Sequence, residues 1–291
     1  MTQSLINIDG RVLAAIDPSV YAASVASLAA WAATHLGAPF ELLHVIARDP
    51  SIAPPDLSGN LSMDTTQVLL GELAALDEQR AKMAQAHGRE LLQQLQSEVL
   101  VKSGVTATIT QRHGVLVDTL LDLELATRLI VIGKRGEHAD FAKGHLGSNL
   151  ERVVRAVHRP VLVAAREYRP ISRFLVAFDG SATTRTCIEM ICASPLLRDV
   201  ECHVLMVGDD TTDHRDALAW AQAQLTSAGF TPTMHLQPGS ADTTIARHVD
   251  ELKADLLVMG AYGHSRIRTM ILGSTTTQLL RTCHIPVLLL R

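Results

Sequence analysis

Short, mostly aliphatic runs recur along the chain, and few of them alternate apolar with polar residues. Val12 to Ile16, Pro39 to Ile46, Arg128 to Gly133 and Pro160 to Ala164 come first; Arg173 to Phe178, His203 to Gly208, Asp255 to Met259 and Pro286 to Leu290 follow. A strand that is wet on one face must alternate, whereas a strand buried on both faces of a parallel sheet reads as a continuous apolar run. Between the runs the period shifts to that of a helix. Val20 to Leu36 sets Val25, Leu28, Trp31 and Ala32 on one face, and a later segment does the same with Leu218, Ala221 and Leu225. Thr106 to Gln111 and Thr231 to Gln237 complete the pattern as third strands, each followed by a glycine (Gly114, Gly239) and a short helix.

The order of these elements repeats. Arg11-Val-Leu-Ala-Ala-Ile-Asp17 matches Arg173-Phe-Leu-Val-Ala-Phe-Asp179, Arg128 to Gly133 matches Asp255 to Gly260, and Val157-His-Arg-Pro matches Cys283-His-Ile-Pro. The chain therefore reads as two copies of one unit, residues 1–168 and 169–291, joined near Glu167 to Ile171 with Pro170 in the linker. Strands alternating with helices predict an α/β fold: two tandem, doubly wound, five-stranded parallel-sheet domains. The copies differ between their second and third strands. The first carries an insert from Ala47 to Gly104, with a loop marked by Pro50, Pro54, Pro55 and Gly59 and a long helix from Thr65 to Val101. A helix of that kind serves packing or an interface more often than catalysis.

With 291 residues, 47% hydrophobic and 3% aromatic, the chain has room for two aliphatic cores. A net charge of −4 argues against unspecific binding to nucleic acid or to an anionic membrane, because both need clustered Lys and Arg. All four cysteines, Cys187, Cys192, Cys202 and Cys283, lie in the second copy without a C-x-x-C spacing, and they read as buried core thiols in a reducing compartment. No signal peptide and no apolar run of membrane-spanning length is evident, which makes the cytoplasm the expected location.

The candidate chemistry lies where the glycines cluster. The run Asp255 to Met259 ends on Gly260, Gly263 follows, and after nine residues Gly273-Ser274 opens a Ser-Thr-Thr-Thr stretch ahead of the helical Gln278 to Arg281. Glycines permit close backbone approach, and amides converging at a helix start hold an anion, above all the phosphates of a nucleotide. A lone Gly-x-x-Gly is usually only a turn, so the claim rests on the spacing taken together with Asp179. Asp17 and Asp179 read equally well as carboxylates that initiate a helix.

The combination Asp179-Gly180-Ser181, then Gly260-x2-Gly263-x9-Gly273-Ser274, then His284-Ile-Pro286, resembles the nucleotide-binding signature of the universal stress protein family, and the duplication resembles its tandem members. The resemblance implies ATP as ligand, with Mg²⁺ as an accompanying ion. Asp179 and Gly180 would face the adenosine, the backbone near Val207 the adenine, and Gly260, Gly263, Gly273, Ser274 and Thr275 the phosphates. A weaker second set follows in the first copy: Asp17, Val45, Gly133, Gly136, Gly147 and Ser148. There the motif departs from the pattern, since Pro18 replaces the glycine after the acid and ten residues separate Gly136 from Gly147, while Lys134, Arg135, Lys143 and His145 bring positive charge to the loop.

The resemblance further implies that the closing strands pair. Pro160 to Ala164 and Pro286 to Leu290 would each be an exposed edge, so Val161 to Val163 is expected against Val287 to Leu289 in an intramolecular pseudo-dimer, with a further homodimer as an additional level of assembly. No Walker-type loop, Ser-His-Asp arrangement, or four-ligand metal spacing is present, so no catalytic residue and no metal site is assigned. The resulting expectation is a cytoplasmic stress-response protein that binds adenine nucleotide mainly in its second domain, as a sensor or switch with at most slow hydrolysis. The alternative is an interaction protein whose grooves take a protein partner or another small metabolite.

Overall fold

The aliphatic runs do form strands, and the computed structural model describes residues 7–47, 63–136, 147–261 and 273–291. The first half runs β1 (Arg11–Ile16), α1 (Ala22–Leu36), β2 (Phe40–Ile46), α2 (Met63–Ser103), β3 (Thr108–His113), α3 (Leu116–Leu123), β4 (Thr127–Gly133), α4 (Ser148–Ala156) and β5 (Val161–Ala164). The second runs β6 (Arg173–Ala177), α5 (Ala182–Ala193), β7 (Glu201–Val207), α6 (Thr212–Ser227), β8 (Thr233–Gln237), α7 (Ala241–Glu251), β9 (Leu256–Gly260), α8 (Ser274–Thr282) and β10 (Val287–Leu290).

All ten strands share one sheet, in the order β3-β2-β1-β4-β5-β10-β9-β6-β7-β8. Every pairing within a half is parallel, and the single antiparallel pairing is the one between halves, where Val287, Leu288 and Leu289 face Val163, Leu162 and Val161. This is the pairing expected from the two proline-led closing runs. A four-residue aliphatic strand with nothing beside it would expose unpaired backbone and apolar side chains together, and joining the two edges removes both liabilities.

Successive strand residues point to opposite faces, which splits the core into two layers. Val12, Ala14, Val131, Leu162, Val176, Val258 and Leu288 belong to the layer covered by α1, α2, α5 and α6. Leu13, Ile130, Val163, Leu175, Leu257 and Leu289 belong to the layer covered by α3, α4, α7 and α8. Each layer continues across the β5–β10 seam, so the halves share two hydrophobic layers instead of meeting at a polar boundary. Helix α1 achieves its close fit with small residues, for Ala22, Ala26, Ala29, Ala30, Ala32 and Ala33 are all buried. Trp31, expected on the apolar face, is only partly buried and packs at its margin.

The long helix α2 does two different things along its length. Leu92, Leu95 and Val99 are buried against the first half, while residues 82–87 are exposed. Gln111 donates Nε2 to the Gln85 carbonyl at 3.1 Å, and at Gly88 any side chain would overlap His44 and Gln111. The reading of this insert as a packing element holds for its C-terminal part.

Candidate functional site

In the second half β6 lies between β9 and β7. The chain leaves β6 through α5 on one face of the sheet and leaves β9 through α8 on the other. Two connections that diverge in this way leave a crevice at the carboxyl ends of the strands, which is where open α/β sheets bind ligands. The residues singled out from the sequence stand around that crevice: Asp179 and Gly180 after β6, Val207 at the end of β7, Gly260 at the end of β9, and Gly273, Ser274 and Thr275 at the start of α8. Gly263 falls outside the described residues.

Among the described residues the start of α8 is an open donor site: Gly273 is the N-cap and has no side chain to offer, and the first turn holds no acid. The leading amides of a helix have no intrahelical acceptor and carry the positive end of its dipole, so an anion suits them. Thr276 fixes this terminus in place by donating its hydroxyl to the carbonyl of Gly260 at 3.3 Å, which ties α8 to the end of β9.

Asp179 is exposed, and its Oδ1 accepts from the Ser181 amide at 3.0 Å and from the Thr184 hydroxyl at 2.7 Å. It therefore does initiate α5, with Ser181 as the N-cap that accepts from the Thr184 amide. Gly180 has φ +75°, and a Cβ there would stand 3.2 Å from that of Ala217. Both facts favour glycine at this point. The loop is held from outside as well: Arg185 donates Nε to the Gly180 carbonyl at 3.0 Å and lies 4.4 Å over the ring of Trp220, which stacks on Phe178. The motif reading missed this brace. The available signal was Trp220 itself, one of two tryptophans in the chain.

Beyond Val207 the loop is also tightly fixed. The Gly208 amide donates to the Gln237 carbonyl at 2.8 Å, His214 Nδ1 lies 2.6 Å from the Asp209 carbonyl, and Asp210 pairs twice with Arg215 at 2.5 Å. A Cβ at Gly208 would come within 2.7 Å of the His214 ring, so a side chain there would have to displace that ring.

The first half differs in the way its loop is filled. Val45 is partly buried near the end of β2, and Asp17 accepts from the Ser19 amide at 3.3 Å. A Cβ at Gly133 would meet Tyr21 at 2.9 Å, one at Gly136 would meet Asp17 Oδ2 at 3.1 Å, and one at Gly147 would meet Arg135 Cα at 3.2 Å. The Gly147 amide donates to the Lys134 carbonyl at 3.2 Å. One donor at the start of α4, where Ser148 follows, is thus already used, and Glu151 puts an acid in the first turn. Lys143 and His145 lie outside the described residues.

Lys134 corrects the expectation that its charge serves this loop. Its side chain is buried and donates Nζ to the carbonyl of Cys283, at the C-terminal end of α8 in the other half. Burial lowers its pKa from 10.5 to about 8. The reciprocal contact is made by Arg291, whose Nη1 donates to the Val157 carbonyl at 2.9 Å, at the end of α4. Each half therefore caps a helix of the other with a cation, as the negative end of a helix dipole favours.

Among the cysteines, Cys187, Cys202 and Cys283 are buried as expected, while Cys192 is only partly so. Burial pushes the thiols of Cys187 and Cys202 up to about 12, which keeps them protonated and unreactive. Among the described residues no group of three His, Cys, Asp or Glu side chains is placed to hold a metal, and no helix is long and apolar enough to cross a membrane.

Comparison with known proteins gives a consistent result. The model of the universal stress protein family matches twice, over residues 10–165 and 170–291. The universal stress protein Slr1230 of Synechocystis sp. is 36% identical over 292 residues, which span 97% of this chain and 99% of that protein. Among solved structures, a universal stress protein from Archaeoglobus fulgidus aligns with a TM-score of 0.68 at 22% identity, covering 97% of this chain and 98% of its own. A further one, described as a putative universal stress protein from Pseudomonas aeruginosa, aligns at 0.60 and 18% identity over 96% and 92%. These two likenesses are of fold.

Proposed function

Because the chain belongs to the universal stress protein family, whose model covers it in two successive matches, we propose that it is a tandem stress-response protein whose second unit, residues 169–291, binds ATP as a sensor or switch. The observation that carries this reading is the start of α8, uncapped and acid-free among the described residues, at the strand ends where β6 and β9 diverge. The phosphates would lie on the amides of Gly273, Ser274 and Thr275, beside Gly260. The adenosine would lie toward Asp179, Gly180 and Val207. The first unit, residues 1–168, is the weaker site because its Gly147 amide is already used by Lys134. Four free cysteines favour the cytoplasm.

Among the described residues nothing supplies an activated nucleophile, and in this reading binding and release carry the function, with at most slow hydrolysis. Mass spectrometry of small molecules released on denaturing the purified protein, followed by titration calorimetry with ATP, tests the reading. Adenine nucleotide in the released fraction and saturable binding support it. Absence of both overturns it.

A further inference from the structure

Three histidines of the second half stand together where α7 covers the edge of the sheet. His203 on β7 and His248 on α7 are 6% and 7% exposed, and His235 on β8 is partly buried. The ring of His235 lies 5.3 Å from that of His203 and 5.7 Å from that of His248. They form no metal-holding group, and the nucleotide reading uses none of them. Histidine is the side chain that changes charge near neutral pH, so such a cluster restricts how many protons the fold can hold.

The hydrogen bonds set that number. His203 Nε2 lies 2.9 Å from Glu201 Oε1, and Arg173 on β6 donates to the same carboxylate at 2.6 Å, which keeps it ionised. An ionised carboxylate can only accept, so His203 Nε2 carries a proton. The other nitrogen of His203, Nδ1, lies 3.0 Å from His235 Nε2, and that hydrogen bond needs one proton between the two atoms. The pair therefore accepts one excess proton, on the free nitrogen of His235, and a second sets N–H against N–H. His248 brings a third ring whose Nδ1 is buried without an acceptor, 3.7 Å from Glu251. The charged groups around the three rings are Glu201 with Arg173 and Glu251 with Arg247, the last pair 3.7 Å apart, so each acid already serves an arginine. Burial, and after it the nearby His203 and His248, push the pKa of His235 below its ordinary value.

We propose that these histidines form an acid-operated latch, which holds β8 and α7 against β7 while at most one excess proton is present and releases this edge of the second half when more are taken up. Strand β8 is the last in the sheet and pairs with β7 alone, so nothing beyond it resists release. His235 is two residues from Gln237, whose carbonyl holds the Gly208 amide at 2.8 Å, and release therefore also frees the loop after β7. The device does not depend on whether nucleotide binds.

The sign follows from proton counting. Unfolded histidines protonate near about pH 6.5 while the folded cluster resists, so stability falls as the pH drops below about 6.5, up to about tenfold in the unfolding equilibrium constant per pH unit for each proton that only the unfolded chain takes up. The test uses the full chain, in urea denaturation and hydrogen exchange at about pH 7.5 and about pH 5.5. In the wild type the amides of β8 and α7 lose protection at the lower pH, after correction for chemical exchange. His235→Gln keeps a neutral hydrogen-bonding group beside His203, and His248→Leu removes the unmet nitrogen; circular dichroism checks that each is folded. Each variant loses less stability than the wild type between the two pH values, by about tenfold in the unfolding equilibrium constant. If both variants lose as much as the wild type, or if wild-type protection of β8 and α7 is the same at both pH values, the cluster is a passive packing contact and the proposal is wrong. The wild-type exchange result decides the matter even if neither variant folds.

Discussion

Replacing Lys134 by methionine removes a charge that crosses from one half of the molecule to the other. The structure fixes the size of the effect. Burial lowers the pKa of Lys134 from 10.5 to about 8, and about 1.4 kcal/mol attaches to each pH unit of such a displacement. Holding the charged form in the folded protein therefore costs roughly 3 kcal/mol near neutral pH relative to the unfolded chain. The sign follows from proton counting: below about pH 8 both states carry the proton and the full cost is present. Between about pH 8 and about pH 10.5 the unfolded chain keeps the proton that the folded one has lost, so stability from this group rises with pH. Methionine fills similar volume without the charge and gives up only the contact with the Cys283 carbonyl. Exchanging a buried charge for an apolar group of like shape is commonly neutral or stabilising.

The expected outcome is that Lys134→Met equals or exceeds the wild type in urea denaturation at about pH 7, and that the wild type gains roughly 3 kcal/mol on the variant by about pH 10. Comparing the two proteins at each pH cancels the titration of groups common to both. A difference that stays flat across this range would refute the burial of Lys134 at the end of α8.

Other outcomes follow from the same geometry. Gly273→Val should abolish ATP binding in calorimetry with the far-ultraviolet spectrum intact, because a branched side chain would stand at the uncapped start of α8; unchanged affinity would refute the assignment. Gly147→Val should leave most ATP binding in place but lower stability by about 1–3 kcal/mol through crowding against Arg135 and Lys134, read by thermal unfolding. Val163→Asp introduces a carboxylate of nearly the same volume at a fully buried position opposite Val287, and should cost about 3 kcal/mol or more; wild-type stability would refute the seam. Gly180→Ala, at φ +75°, should cost about 1 kcal/mol from backbone strain alone and weaken ATP binding, while an unchanged melting temperature would show that the loop relaxes freely.

Much of the fold was legible because the signals are local. Non-alternating runs such as Arg128 to Gly133 and Asp255 to Gly260 announce strands buried on both faces, and their repetition in order announces two units. The seam was legible in part: two proline-led aliphatic strands in equivalent places each need cover, and the resemblance to tandem universal stress proteins implied that they cover each other. Boundaries moved by one or two residues, as at Ala22 and Thr233, because capping and sheet register set the ends. The glycine pattern likewise picked out Gly180, whose φ of +75° is one that glycine adopts without strain.

What the sequence determined by itself is whatever depends on period, spacing and backbone permission: the parallel α/β units, their duplication, the closing strands that need cover and the glycine-lined strand ends. What only the tertiary structure decided is where each charged side chain finds its partner. Lys134 reads as part of its own loop and instead caps α8 of the other half, Arg291 returns the contact to α4, and Arg128 looks like the polar start of a strand yet sits at a one-residue bulge and donates to the carbonyls of Ile8 and Leu36. Each of these cations is placed by a residue far away in the chain, and a long side chain in a crowded interior goes to the acceptor that packing brings near. That choice depends on distances in space, and sequence spacing does not contain them.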